Sequence, residues 1–343
     1  MLRSKFLQAI ILGGGCLFIV FTFYFYQIFQ ADNFQIDKDD VAITVYPNTT
    51  FSELRKDLLE KEILHDQISF SFISKILKYQ ENVKPGRYVI ERDMNNWKAV
   101  RKLRAGNQDP LKLTFNNVRK KEDLAGKLAK NLMIDSLSIL SLLADQEVLT
   151  KYGFNEQNIL GMFIPNSYEM YWTVSGEQVL KKMHTEYNAF WTTARKNQAA
   201  KIGLSPKEVS TLASIVEAET AQNDERPRVA GVYINRLKRD MLLQADPTVK
   251  YAVGDFMLKR ILFKHLKVDS PYNTYKYKGL PPGPINCPSV PSLKAVLNYE
   301  KHSYIYFCAR EDFSGYHNFA KNGSEHNRNR DKYIKALNAA GIR

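Results

Sequence analysis

The strongest constraint on how this chain folds is an apolar run near its beginning, Phe6–Phe29, in which Gln8, Thr22 and Gln27 are the polar residues. A helix needs about 20 apolar residues to cross the hydrocarbon core of a bilayer, and this run is long enough. Basic residues precede it within the first five positions. The length and composition of the run therefore predict a single-pass transmembrane helix over residues 6–29.

The positive-inside rule predicts the orientation of that helix. Arg3 and Lys5 lie before the apolar run, whereas the first basic residue after it is Lys38. This asymmetry places residues 1–5 in the cytoplasm and the rest of the chain outside it. The expected location is the cell inner membrane, with an extracytoplasmic (periplasmic) folded part.

Two other kinds of N-terminal segment fit the sequence less well than a membrane anchor. A cleaved signal peptide has a shorter apolar core and a small-residue cleavage site, whereas this run is longer and ends in aromatic residues. A lipoprotein signal would place a lipid on Cys16, but Gly13 stands where a large aliphatic residue is expected. An uncleaved anchor is the favoured interpretation.

Composition and charge describe an ordinary folded protein with a basic surface. The 343 residues are 44% hydrophobic and 25% charged, with a formal net charge of +13. This length suffices for about two or three domains. The basic residues are spread along the chain without a nucleic-acid motif, so nucleic acid is not an expected partner. A basic extracytoplasmic domain is instead attracted to an anionic polymer or membrane surface, and cell-wall glycan with acidic peptides fits.

Cysteine and histidine give no metal signature. The six histidines form no His-Glu-x-x-His or similar pattern, so no metal and no other cofactor are expected. Cys287 and Cys308 could pair in an oxidising compartment, but two separate buried thiols are the favoured reading.

After the anchor, residues 41–106 predict a small α+β unit. Apolar spacing indicates a strand, two amphipathic helices and a second strand that contains Gly86-Arg87-Tyr88. This βααβ pattern resembles the LysM-like module, which binds peptidoglycan. A module of this kind would position the protein on glycan without taking part in bond breaking. Hinges are expected around residues 32–40 and 105–111.

Residues 107–343 predict a second, helix-rich α+β domain. We expect a helical part over 116–200, with one long helix from Glu177 to about Lys201, and a motif-rich core over 205–320. Residues 271–291 combine six prolines with tyrosine and asparagine. Such a stretch suits a sugar-binding groove, but composition alone favours a rigid loop with packed tyrosines.

The most informative helix of this domain carries two acids, Glu217 and Glu219, in its otherwise apolar stretch over residues 210–220. Ser205, Pro206 and Glu208 form a helix start with a capping box. At about 100° per residue, Glu219 falls roughly 50° from the centre of the apolar face and Glu217 roughly 110°. Burial against that face would raise the pKa of a carboxyl and make it a general acid. The alternative is that both are ordinary surface acids near a helix end.

Several motifs in order carry a family resemblance. They are Ala213–Thr220, Asn235–Leu237, Leu243–Val249, Pro271–Tyr275, Gly279–Ile285, Ser292–Ala295 and Tyr304–Phe307. Together they resemble the endolytic murein transglycosylases of the YceG-like family, whose N-terminal plan also matches the anchor and the LysM-like unit.

The resemblance implies a membrane-anchored lytic transglycosylase that acts on peptidoglycan glycan strands. Such enzymes cleave the β-1,4 bond between N-acetylmuramic acid and N-acetylglucosamine without water, leave a 1,6-anhydro end, and would terminate nascent strands. The family's catalytic acid is the second glutamate of Glu-x-Glu-Thr, which is Glu219 here. Peptidoglycan synthases are candidate protein partners.

The resemblance also implies a set of residues that contact substrate. If a second acid is needed, Glu217 and Asp246 are the candidates, although Asp246 precedes Pro247 and a helix-capping role is favoured for it. His317 departs mildly from the family pattern because Tyr316 separates it from Gly315. The expected substrate-binding residues are Glu217, Gln244, Asp246, Asn273, Tyr275 and His317.

A function of another class stays open beside this one. A membrane-tethered scaffold that binds peptidoglycan without cleaving it would have the same anchor and module. It would have no reason to keep Glu219 beside an apolar face.

Overall fold

The computed structural model describes residues 2–34, 40–92, 94–116, 118–258 and 260–341. The chain divides into two compact units. One comprises Met1–Lys112 and Glu169–Val174, and the other comprises Leu113–Tyr168 and Ser175–Arg343. The hinge expected at 32–40 lies largely outside the described residues, as does Lys38, and the side chains of Arg3 and Lys5 are not among those described.

The N-terminal apolar run forms a single helix, α1 (Leu2–Phe29). Its segment Phe6–Phe29 is long and apolar enough to cross a membrane. Most of its large apolar side chains, from Phe6 to Tyr26, are exposed. Apolar surface of this extent is compatible with a lipid environment.

The first unit contains the expected strand–helix–helix–strand order. Strands β2 and β3 pair antiparallel, from Val41 opposite Ile90 to Val45 opposite Gly86. A capping box between Thr50 and Glu53 begins the first of the two helices. The secondary-structure order is confirmed, whereas the identification with a LysM-like module stays a prediction. The bounds are β2 (Val41–Val45), α2 (Phe51–Glu60), α3 (Gln67–Ile76) and β3 (Gly86–Ile90).

A buried polar network attaches the end of α1 to this unit. The side chain of Asn33 accepts a hydrogen bond from the Asp66 backbone N–H at 2.6 Å and donates to Asn96 Oδ1 at 2.7 Å. Asn96 Nδ2 donates to the carbonyl of Ile28 at 3.3 Å. Because buried amides are costly to leave unpaired, these bonds fix the helix end against the unit. The elements concerned are β1 (Asp32–Phe34), β4 (Met94–Asn95) and α4 (Asn96–Ala105).

The second unit is rich in helices, as the sequence predicts. Strands β5 (Leu111–Thr114) and β6 (Ser167–Met170) lie where the chain passes between the units. The helices that follow β5 are α5 (Lys121–Asn131), α6 (Ser136–Ala144), α7 (Gln146–Lys151) and a 3₁₀ turn (Ile159–Met162). The elements after β6 are α8 (Gly176–Phe190), α9 (Thr193–Ile202), α10 (Pro206–Glu219), α11 (Arg226–Lys238), α12 (Asp246–Val253), α13 (Phe263–Leu266), α14 (Val290–Leu297), β7 (Tyr306–Ala309), β8 (His317–Ala320) and α15 (Gly323–Ala339).

The prediction of one long helix from Glu177 to Lys201 is wrong. The segment forms two helices, α8 and α9, separated at Trp191 and Thr192. Trp191 is 2% exposed, and Thr192 begins the next helix by accepting a hydrogen bond from the Arg195 N–H. Burial of the indole and a threonine cap therefore outweigh the apolar periodicity that runs through the break.

Helix α10 lies at the centre of the second unit and packs against α9, α11, α12 and α14. Its predicted start is confirmed, with Ser205 as N-cap and Pro206 in the first turn. Every residue from Val209 to Val216 is buried.

Hydrogen bonds attach the proline-rich stretch, residues 271–291, to α10. The Ile285 N–H donates to Ser214 Oγ at 3.0 Å, and Asn286 Nδ2 donates to the Ser214 carbonyl at 2.9 Å. Gly283 permits a close backbone approach, because a Cβ there would lie 1.9 Å from the Gln157 carbonyl oxygen. This part of the stretch is a packed layer over the helix, in line with the favoured rigid-loop interpretation.

Candidate active site

Glu219 is the last residue of α10, and the chain becomes extended at Thr220. Its side chain is partly buried against α11, where the hydroxyl of Tyr233 donates a hydrogen bond to Glu219 Oε1 at 2.6 Å. Tyr233 is 1% exposed, whereas Glu219 is partly buried, so the contact has a buried end and an accessible one. Of Glu217 and Glu219, Glu219 is the one whose carboxyl bonds to a side chain of α11.

The surroundings of Glu219 raise its pKa from 4.5 to about 7. Burial is the largest cause, because it disfavours the charged carboxylate, and the negative charge of Asp246 adds to it. The Tyr233 hydrogen bond acts in the opposite direction, as do the side chains of His317 and Arg236. Near neutral pH the carboxyl thus exists in both forms and can donate a proton or accept one.

Glu219 borders two adjoining cavities. One, of about 180 Å³, is also lined by Gln244, Asp246 and Tyr275. The other, of about 950 Å³, is lined by Asp246 and Lys250 and by side chains of α15. Three of the sequence-predicted substrate residues thus lie around Glu219.

Asp246 and Tyr275 form a second hydrogen-bonded pair in the smaller cavity. The Tyr275 hydroxyl donates to Asp246 Oδ1 at 2.6 Å. The expectation that Asp246 caps the following helix is wrong, because Ala245 occupies the N-cap of α12 without a side-chain cap. The carboxylate of Asp246 bonds to Tyr275 instead, and it is exposed at the cavity that Glu219 borders.

Gln244 has a strained backbone. Its φ of 49° lies in the left-handed region, which non-glycine residues rarely adopt. Its N–H donates to the Thr274 carbonyl at 3.1 Å, and its side chain is exposed at the smaller cavity. Strain of this kind costs about 1–3 kcal/mol and concentrates at functional sites.

Two predicted residues are engaged elsewhere. Asn273 is fully buried, donates to the carbonyls of Leu266 and Val268, and accepts from the Tyr275 N–H. Glu217 accepts hydrogen bonds from the backbone and the hydroxyl of Ser289, at 2.7 and 2.6 Å. Asn273 therefore shapes the loop that carries Tyr275, and Glu217 joins α10 to the start of α14.

His317 is held by a buried acid that the sequence analysis did not select, Glu225. His317 Nδ1 lies 2.7 Å from Glu225 Oε2, and the His317 N–H donates to Oε1 at 2.8 Å. Thr220 Oγ1 donates to the same carboxylate at 3.1 Å. Burial alone would raise the pKa of Glu225, but the hydrogen bonds from His317 outweigh it and the pKa is lowered. Since an ionised carboxylate only accepts, Nδ1 of His317 is the donor.

Aromatic packing links this pair to Glu219. The His317 ring contacts Phe307 edge-on with ring centroids 5.1 Å apart, and Phe307 contacts Tyr233 at 5.9 Å. Tyr233 in turn binds Glu219. A continuous chain of contacts therefore positions the acid.

Arg236 is another residue that the sequence analysis missed. It is 7% exposed and donates to the carbonyls of Ile305 and Leu243, at 2.6 and 2.7 Å. Tyr233 and Arg236 are three residues apart and share one face of α11. Polar groups at that spacing on a largely buried helix were the signal available in the sequence.

Within the described ranges, no cluster of three or more His, Cys, Asp or Glu side chains could hold a metal ion. Cys287 and Cys308 are both free thiols.

Comparison with known proteins gives one consistent family. Residues 43–332 match the model of the YceG-like family. The chain is 29% identical over 317 residues to an endolytic murein transglycosylase of Bacillus subtilis, covering 88% of this chain and 87% of that protein. It is 25% identical to an endolytic murein transglycosylase of Streptococcus pneumoniae, covering 87% of this chain and 59% of the streptococcal protein.

A solved structure agrees with these sequence matches. The crystal structure of a yceG-like protein from Listeria monocytogenes superposes with a TM-score of 0.58 at 30% sequence identity. The match covers 85% of this chain and 99% of the Listeria chain.

Proposed function

The chain belongs to the YceG-like family, and from that premise we propose that it is a lytic transglycosylase that cleaves murein strands internally, with Glu219 as its catalytic acid. The observation that carries the proposal is a carboxyl with a pKa of about 7 at the border of two cavities. The names of the Bacillus and Streptococcus relatives supply the substrate class.

The chemistry needs one group that first donates a proton and then removes one. Protonated Glu219 donates to the glycosidic oxygen as the bond from C1 of N-acetylmuramic acid breaks. The resulting carboxylate removes the proton of the C6 hydroxyl of the same sugar, and that oxygen attacks C1. The product carries a 1,6-anhydro end, and Glu219 regains its proton.

The remaining predicted residues have two proposed roles, contact with the substrate and positioning of the loops that carry the contact residues. We assign substrate contact to Gln244, Asp246, Tyr275 and His317. Asn273 and Glu217 position the surrounding loops through the bonds described above. The substrate's own N-acetyl group would stabilise the cationic sugar, so the proposed reaction needs no second essential acid.

Asp246 supports one competing candidate, hydrolysis of the same bond. A hydrolase of this class uses two carboxyl groups that flank the scissile bond. Asp246 lines the same cavities as Glu219 and could activate water or attack C1. Glu217 is less suited because Ser289 occupies its carboxylate.

Mass spectrometry of the products distinguishes the two reactions. Purified peptidoglycan is incubated with the full-length protein in detergent micelles, and new strand ends are identified by mass. An anhydro end without added water supports the transglycosylase. A reducing end, heavier by one water, would assign a hydrolase, and Asp246 would then be the second carboxylate to test.

We further propose that α1 anchors the protein in the inner membrane with both compact units outside the cytoplasm. The buried amide network between Asn33 and Asn96 fixes the end of α1 to the first unit, so the anchor would hold that unit close to the bilayer. Such a location suits an enzyme that terminates newly made strands, with peptidoglycan synthases as partners.

A non-catalytic scaffold is the less favoured function. Binding alone gives no reason to bury an ionisable acid beside Tyr233.

A further inference from the structure

A groove continues from the Glu219 cavity along the second unit. The cavity of about 950 Å³ shares Ala218, Pro247 and Lys250 with a neighbouring cavity of about 130 Å³. That second cavity shares Arg119 and Phe256 with a third of about 670 Å³. The shared lining residues place the three cavities next to one another, and the two that lie beyond Lys250, of about 130 and 670 Å³, are hereafter called the distal groove.

The distal groove has a strongly basic lining. Among the described residues that line it, Asp123 is the acidic one. The Asp123 carboxylate accepts a hydrogen bond from the Lys120 N–H at the start of α5. In the part of the chain that the structure describes, none of the lining cations forms an ion pair. These cations are Arg119, Lys127, Lys130 and Lys250, of which Lys127 donates a hydrogen bond to the Asn116 carbonyl.

The fold brings these charges together from separate parts of the sequence. Three lie between positions 119 and 130, and the fourth lies at 250. One further cation, Lys120, has its Nζ 5.2 Å from the ring centroid of Phe256, and Arg119 Cζ is 5.1 Å from the same centroid. These basic residues are thus scattered in the sequence but clustered in the structure. Like charges without counter-charges repel one another, and an anionic ligand relieves that repulsion.

We propose that the distal groove binds the carboxylates of the peptide that muramic acid carries. This inference rests on the proposed function, since it names the part of the murein strand that lies beyond Glu219. The peptide is attached to the sugar whose bond Glu219 would break, so it leaves the strand next to the catalytic cavity. Several carboxylates on a short peptide match several unpaired cations along a short groove.

The Phe256 ring favours a peptide as the occupant. It lines both distal cavities beside Arg119 and gives an apolar surface among the charges. A peptide offers both aliphatic side chains and carboxylates, so it can use the ring and the cations together. The groove would therefore select strands that still carry their peptides.

Strand affinity in a non-cleaving background tests the proposal. The full-length Glu219→Gln protein in detergent is titrated with soluble glycan strands that carry peptides and with the same strands stripped of peptides by an amidase. We expect the peptide-bearing strands to bind about tenfold more tightly at low salt, with the ratio falling as salt rises.

Charge-removing variants locate the source of that preference. Arg119→Gln, Lys130→Gln and Lys250→Gln together should bring the affinity ratio close to one. The charge-conserving set Arg119→Lys, Lys130→Arg and Lys250→Arg should keep most of the ratio. A control that removes Lys196 and Lys201, two exposed lysines of α9, should leave the ratio unchanged.

The outcomes separate this inference from the proposed function. Equal affinity of the two strands, or a ratio that the charge-removing set leaves intact, would overturn the peptide groove. Because binding is measured without cleavage, that result is independent of whether anhydro ends appear in the product assay.

Discussion

The hydroxyl of Tyr233 donates a hydrogen bond of 2.6 Å to Oε1 of Glu219. The bond stabilises the carboxylate, whereas burial and the charge of Asp246 stabilise the protonated acid. These opposing effects leave the pKa at about 7. An acid balanced in this way loses a proton readily and recovers it readily, as the proposed reaction requires.

The activity should depend on pH through Glu219. Because the protonated form starts the reaction, kcat/KM should fall as pH rises through about 7. Tyr233→Phe removes a bond that lowers the pKa, so this fall should move to higher pH. Asp246→Asn removes a charge that raises the pKa, so the fall should move to lower pH. Rates of muropeptide release from pH 5 to 9 measure both shifts, and shifts in the same direction would contradict this electrostatic description.

Glu219→Gln should stabilise the fold at neutral pH. The folded-state pKa of about 7 lies above the ordinary glutamate pKa of 4.5. The stability that this group contributes is therefore fully present below pH 4.5 and is lost as pH rises towards 7. Gln has no such loss, so the variant should gain on the order of 1–3 kcal/mol over wild type across this window. Urea unfolding at pH 4.5 and pH 8 measures the gain, and an equal difference at both pH values would refute it.

The sequence allowed a good part of the site to be predicted, for identifiable reasons. Capping at Ser205 and helical periodicity predicted that Glu219 faces the apolar side of its helix. The family motifs pointed to Gln244, Asp246 and Tyr275. Helical periodicity describes one element at a time. It gave no information on whether the Glu217 carboxylate would meet Ser289, which lies in a different part of the chain.

The residues that were missed act across tertiary contacts. Glu225 precedes α11 and receives its partners from Thr220 and from β8. Asn273 was selected as a substrate-binding residue, but it is fully buried and its amide bonds to the loop backbone. Composition showed a basic chain, and only the lining of the distal groove shows where part of that charge collects.

The buried Glu225 should contribute to stability through His317. Glu225→Gln replaces a carboxylate that accepts three hydrogen bonds, so the free energy of unfolding should fall by about 1–3 kcal/mol. Because the folded pKa of Glu225 is lowered, its contribution is present above its unfolded pKa and is lost as pH falls through the folded value. Chemical denaturation at pH 7 and in acid measures both effects.

Glu300→Gln is the matched control for that experiment. Glu300 pairs with Arg228 at 2.9 Å on the surface, where both side chains are more than 40% exposed. Exposed pairs contribute about 0–1 kcal/mol, so this variant should change little. A loss as large as that of Glu225→Gln would mean that burial does not set the difference.

The orientation of α1 can be tested with fusions at the C-terminus. A reporter that is active only outside the cytoplasm should work there, because basic residues precede the apolar run of α1. The same fusion without residues 1–29 is the control and should be inactive. Activity of a cytoplasm-only reporter on the full chain would reverse the proposed topology.

The central claim is that Glu219 performs the proton transfers, and its most direct test compares two glutamines on α10. Glu219→Gln keeps the size and a hydrogen-bond acceptor for Tyr233 but cannot transfer a proton. Loss of a positioned acid costs about 10²–10⁴-fold in rate, and one group serving both steps should bring the loss to the upper end. Glu217→Gln, which disturbs only the contact with Ser289, should keep most of the activity. The measurement is the rate at which anhydro-muropeptides are released from purified peptidoglycan by each folded variant. A near-complete loss for Glu219→Gln alone is the predicted result, and a folded Glu219→Gln protein that releases them at close to the wild-type rate would contradict the account.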